Sequence, residues 1–175
     1  MRFKQAILIL IGFSLLSFGL PKNLEKKVNK EITDTFEVEN FDLISVIIPS
    51  EIEKTLPSRF GEDNLFKIES NKKFIAYAYV SQAPSKTALF DYLVFLDSEL
   101  VVIKTKVLIY REEYGGEIGS RRWLKQFMGK NQNDDLKYGE NIIAISGATI
   151  SVRSFTDAMN NFLKSLKILH SKNIL

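Results

Sequence analysis

The 175-residue chain has no cysteine and a single histidine, His170. Without thiols there are no disulfides, no thiolate metal sites and no cysteine for a lipid to be attached to. The lone histidine lies near the C-terminus, and a solvent-facing position is expected for it. No block of one charge sign stands out either. Lys and Arg number 24 against 21 Asp and Glu, a net charge of +3, and they are spread along the chain. That pattern gives no basic patch for nucleic acid, so nucleic acid is not among the expected partners. The chain also has no internal repeat, no low-complexity segment and no dinucleotide fingerprint. Gly115, Gly116 and Gly119 crowd together, but their spacing is wrong for that motif and no helix-opening strand and turn follow.

Long apolar runs are missing except at the start. Arg2 and Lys4 precede an apolar stretch from Ala6 to Leu20, and Ser17-Phe18-Gly19 offers small residues two apart. The run is shorter than the ~20 residues of a comfortable transmembrane helix, and it has no polar face to suit a buried N-terminal helix. Residues 1–20 therefore read first as a cleaved signal peptide and second as an N-terminal membrane anchor. Either places the protein outside the cytoplasm, in the periplasm or at the outer face of the cytoplasmic membrane. Export without cysteine suits an envelope protein stabilised by its core.

The remaining residues are enough for one domain with a real core. Residues 21–64 read as a helical and irregular extension. Leu24, Val28, Ile32 and Phe36 recur every four residues behind a capping Asn23. Ile44 to Ile48 suggest a short strand ended by Pro49, and Ser50 to Lys54 a brief helix. From Leu65 the pattern turns to strands: Leu65–Ile68, a turn at Asn71–Lys73, Phe74–Val80, a loop at Ala83–Lys86, Phe90–Leu96, a turn at Asp97–Glu99, and Leu100–Tyr110. The last two strands form an antiparallel hairpin. On the final strand, Val101, Ile103, Thr105, Val107 and Ile109 share an apolar face that should meet the core. A glycine-rich loop, Arg111 to Gly119, precedes a short helix over Ser120–Met128, in which Trp123 and Phe127 share a face. Asn131–Gly139 is a polar loop. The strongest helical signal runs from Ser151 to Leu169, where Val152, Phe155, Met159, Phe162, Leu166 and Leu169 alternate spacings of three and four. The fold class is α+β: a twisted, mostly antiparallel sheet packed against a long C-terminal helix.

The stretch Ile145-Ser146-Gly147-Ala148-Thr149-Ile150-Ser151 leads into that helix. A helix start presents unpaired N–H groups and a partial positive charge, a natural seat for phosphate. Hydroxyls at Ser146, Thr149, Ser151 and Ser154 are equally what an ordinary helix cap would supply. Ser146-Gly147-Ala148-Thr149 before a helix resembles the attachment motif of the FMN-binding domain family. That family includes a flavin-carrying subunit of the sodium-translocating NADH:quinone reductase and its counterpart in the related Rnf electron-transport complex. Hairpin, glycine loop, Trp-Phe helix, motif and final helix follow in the family's order over about residues 74–169. The family's motif carries an Asp three residues before the Ser, where this chain has Ile143, and its glycine loop is matched here only at Glu113 and Gly116.

The resemblance implies an FMN-binding domain over residues 65–175. It implies FMN joined as a phosphoester to Thr149 by a separate flavin transferase, with Ser146, Gly147, Ala148, Ile150, Ser151, Glu113 and Gly116 around it. No His or Cys lies near the motif in sequence, so self-attachment is not expected. Trp123, Tyr110 and Tyr114 are candidates to touch the flat, mostly apolar ring system. The expected role is an exported electron carrier passing electrons between redox partners in the envelope or membrane, rather than a free-standing enzyme. A flavin-dependent reductase with its own small substrate, and a flavin-free module on the same fold, are the alternatives.

Overall fold

The computed structural model describes residues 19–175. In chain order they form α1 (Lys22–Phe36), β1 (Asp42–Ser45), α2 (Ser50–Glu53), β2 (Leu65–Ser70), β3 (Lys73–Pro84), β4 (Leu89–Leu96), β5 (Val102–Ile109), α3 (Arg121–Leu124) and α4 (Thr149–Ser171). Short 3-10 turns at Gly116–Gly119 and Lys125–Phe127 flank α3. The basic and apolar residues from Arg2 to Phe18 that carry the expectation of export lie outside the described residues.

All five strands join one antiparallel sheet in the order β1-β2-β3-β4-β5, each next to its neighbour in sequence. The turns explain that simple order. Asn71 and Lys72 both have positive φ, the backbone of a tight two-residue hairpin between β2 and β3. Between β4 and β5, Asp97 Oδ1 accepts hydrogen bonds from the backbone N–H groups of Glu99 and Val101, both at 2.9 Å.

α4 lies across one face of the sheet. Its predicted stripe, Val152, Phe155, Met159, Phe162, Leu166 and Leu169, is entirely buried. It meets Tyr79, Phe90, Tyr92 and Val94 from the sheet, and Phe127 and Trp123 from the segment beyond β5. The Phe162 ring stacks on Tyr79 at 4.4 Å, and Phe155 meets Tyr92 edge-on at 5.0 Å. Burying a side chain of this size stabilises by about 1.5–3 kcal/mol, so this stripe anchors the C-terminal helix to the sheet.

The second sheet face is not left to solvent. α1 covers it with Leu24, Val28 and Ile32, against Phe66, Ile68, Ala78, Leu93, Phe95 and Leu108. β4 therefore sits between two helical layers, and every residue from Phe90 to Leu96 is buried. That is why its sequence reads as a near-continuous apolar run rather than an alternation. Asn23 does not cap α1: it is the second helical residue, and Pro21 holds the capping position without a side-chain bond.

The expected apolar face of β5 is corrected by two bulges. Register shifts fall opposite Asp91/Tyr92 and Phe95/Leu96, leaving Leu108 and Ile103 as extra residues. Each bulge reverses the side-chain alternation. Val107 thus faces the α4 layer and Thr105 donates to Leu124 O on that side, whereas Ile103 and Ile109 pack into the α1 layer. Lys104 and Lys106, also on the α1 side, both bind Glu31 of α1 at 2.9 Å.

Candidate functional site

The site forms where the head of α4 meets the glycine-rich loop after β5. Ile145–Ala148 is a hydrogen-bonded turn, with Ala148 N donating to Ile145 O at 3.2 Å and Gly147 at φ +82°. A positive φ at the third turn residue is the type II pattern, which glycine fills without strain. The apolar residues 142–145 just before the motif's serine form no strand. Ile142 is buried and makes a single bridge to Tyr138, while the Ile143 side chain is 69 % exposed. The backbone there is pinned from α3: Trp123 Nε1 donates to Ile143 O at 2.8 Å, and Ile143 N donates to Gln126 Oε1 at 2.7 Å.

None of the four hydroxyls caps the helix. Ala148 occupies the capping position and no side chain bonds the first turn. Ser151 is buried and shares a 3.0 Å hydrogen bond with Tyr110 Oη, and Ser154 Oγ donates to Pro84 O. Ser146 and Thr149 are exposed. Among the described residues, the N–H groups of Thr149, Ile150 and Ser151 have no acceptor. A 23-residue helix thus begins with its donors and the positive end of its dipole open to a ligand, beside the free hydroxyl of Thr149.

The glycine loop comes to this point through Gly115. Its φ is +80°, and a Cβ there would stand 3.0 Å from Ala148 Cβ, 3.1 Å from Tyr110 Oη and 3.2 Å from Gly147 O. The loop backbone is therefore pressed against the Ser-Gly-Ala-Thr turn. Gly116 and Glu113, the loop positions expected from sequence, are both exposed, and a Cβ on Gly116 would touch nothing within 4 Å. Gly115 is the position where the backbone demands glycine.

A cavity of about 310 Å³ opens beside the motif, lined by Gly147 to Ser151 together with Lys86, Tyr110, Glu112 and Tyr114. A second, of about 350 Å³, lies on the far side of the turn against Trp123, Ile143 and Ser146. Of the three candidate aromatic contacts, Tyr114 is 81 % exposed, Tyr110 is half-buried and held by Ser151, and Trp123 is a core residue against Phe127 and Phe155. Glu112 and Lys86 escaped sequence reasoning. Glu112 Oε1 accepts from Ser85 Oγ at 2.6 Å, Thr87 N at 2.7 Å and Ala88 N at 3.2 Å, and Oε2 accepts from Thr87 Oγ1 at 2.9 Å. The Ser85 hydroxyl, followed by the Thr87 donors, holds its carboxyl well below the usual range, at about 2. The signal was available only as an acid after a hairpin strand and a Ser-Lys-Thr loop before it; nothing in the spacing joins the two.

His170 is exposed, as expected. Among the described residues no group of His, Asp or Glu is arranged to hold a metal ion, and no helix is long and apolar enough to cross a membrane. A wider groove of about 610 Å³ between α1, β5 and α3 shares no residue with the motif, and its Lys104 and Lys106 are already bound to Glu31.

Residues 90–164, from β4 into α4, match the model of the FMN-binding domain. The crystal structure of Shewanella oneidensis NqrC has the same fold, with a TM-score of 0.54 at 15 % identity over 83 % of this chain and 98 % of that one. No curated protein matches the sequence.

Proposed function

We propose that this chain, whose residues 90–164 match the FMN-binding domain, is an exported electron-transfer flavoprotein that carries FMN as a phosphoester on Thr149. The observation that supports Thr149 is its exposed hydroxyl at the uncapped start of α4, beside a cavity, inside the matched segment. The residues fit the group. Open N–H donors and a helix dipole suit a phosphate, and the two cavities flanking the turn, with Tyr114 at one rim and Ile143 at the other, offer apolar surface for a flat ring system.

Attachment uses a separate flavin transferase and FAD. The Thr149 oxygen bonds to the riboflavin-side phosphorus, the bond between the two phosphates breaks, AMP leaves, and the hydroxyl proton goes to the transferase or solvent. Thr149 is exposed, and among the described residues no basic side chain hydrogen-bonds its hydroxyl, so the base comes from the transferase. FMN, once bound, supplies one- and two-electron redox chemistry, and the protein positions it. Partners are redox proteins of the envelope or membrane. The basic and apolar residues 1–20 support export, by a cleaved signal or a retained anchor.

The test is flavin fluorescence of the denatured protein on a gel, with peptide mass mapping, after coexpression with an active transferase in an exporting host. Wild type should give a fluorescent band, Thr149→Val a folded but dark one, and Thr149→Ser partial labelling. Ile143→Asp restores the family's acid on an exposed side chain and should raise the labelled fraction. A Thr149→Val band as bright as wild type sinks the assignment.

A further inference from the structure

The connection between β3 and β4, residues 85–88, is clamped from three sides. The Glu112 carboxylate receives four hydrogen bonds from Ser85, Thr87 and Ala88. Ser154, in the first turns of α4, donates to Pro84 O just before the connection. Arg111 donates to Leu89 O at 2.6 Å just after it, and the same guanidinium binds buried Asp91 at 2.6 Å. A short surface turn has no need of this for hairpin closure; its own backbone bond, Ser85 N to Ala88 O at 2.7 Å, provides that.

Lys86 sits within this clamped turn and is the cation that lines the cavity at Thr149. Among the described residues it makes no ion pair. The nearest carboxylate along the cavity wall, Glu112, already has its oxygens occupied by the turn. FMN joined to a threonine is a phosphodiester with one negative charge, and the cavity offers one uncommitted positive charge next to open helix N–H groups.

We propose that Lys86 is the phosphate-binding cation of this site and that Glu112 is a positioning residue, fixing the 85–88 turn so that Lys86 faces the head of α4. The assignment rests on the FMN reading above. It makes Lys86 a discriminator for phosphate-bearing flavin over riboflavin. The contact is ionic, so added salt weakens it, whereas the flavin-ring contacts are much less sensitive.

The experiment titrates the full chain, made without transferase, with FMN and with riboflavin, following flavin fluorescence at low and high salt. In parallel, the labelled fraction is measured after coexpression with the transferase. Lys86→Gln should weaken FMN about tenfold, the scale of one charge-assisted hydrogen bond, leave riboflavin unchanged, and flatten the salt dependence. Lys86→Arg should retain FMN preference. Glu112→Gln, with Lys86 intact, should lose part of that preference without changing riboflavin. Should Lys86→Gln alter neither FMN affinity nor labelled fraction, or weaken FMN and riboflavin alike, Lys86 is not the phosphate cation and the FMN reading still stands. A wild type that takes up flavin in neither experiment overturns both.

Discussion

Replacing Gly115 by alanine separates the geometry of this site from its sequence motif. Two costs arise. A non-glycine residue at φ +80° enters the left-handed region, at about 1–2 kcal/mol. A Cβ 3.0 Å from Ala148 Cβ and 3.2 Å from Gly147 O overpacks a contact made by backbone and a methyl group, neither of which can swing away, at about 1–3 kcal/mol more. The reduced freedom of the unfolded chain returns roughly 0.4–1 kcal/mol. A net loss of about 1–4.6 kcal/mol results, which at a urea slope near 2 kcal/mol per M lowers the midpoint by about 0.5–2.3 M. The control is Gly116→Ala, one residue on, where an added Cβ meets nothing and the change should stay within about 1 kcal/mol. The sequence holds one tryptophan, and Trp123 is buried beside the site, so its fluorescence follows unfolding directly. Because the clash pushes the loop off the attachment turn, Gly115→Ala should also label poorly with flavin even at temperatures where it stays folded. Equal losses for Gly115→Ala and Gly116→Ala would falsify the claim that this loop docks through Gly115.

Two further predictions concern the frame around the site. Phe162, fully buried between Tyr79 and Phe60, should cost about 3–5 kcal/mol when cut to alanine; a loss below about 1 kcal/mol in the same urea titration would mean that α4 does not pack by this face. Glu112 has its carboxyl lowered from 4.5 to about 2. A depressed acid contributes stability that is present above its unfolded value and lost as pH falls through the folded one. Stability should therefore decline between about pH 4.5 and 2, and Glu112→Gln should flatten that decline in melts compared at pH 5 and pH 3. An unchanged profile would show that the hydrogen bonds to Ser85 and Thr87 do not form.

The chain's own order of residues determined a good deal. The three-and-four spacing from Val152 to Leu169 depends only on neighbours along one helix, so it specified α4 and its buried face without help. Tight turns at Asn71-Lys72 and around Asp97 are equally local, and with them came the antiparallel order of β2 to β5. Ser146 to Thr149 could be recognised as a motif for the same reason. Tertiary structure decided what contacts between distant segments decide. The β5 alternation was misread because its two bulges are set by register against β4, and a bulge leaves no mark on the strand's composition. α1 covers the second sheet face because β4 needs burial on both sides, a demand that only the assembled sheet creates. At the site, Gly115 rather than Gly116 carries the close approach because Ala148 and Tyr110 arrive there from elsewhere in the chain. Glu112 clamps a turn 24 to 27 residues earlier, a separation at which spacing carries no information and only the pairing of β4 with β5 brings the two together.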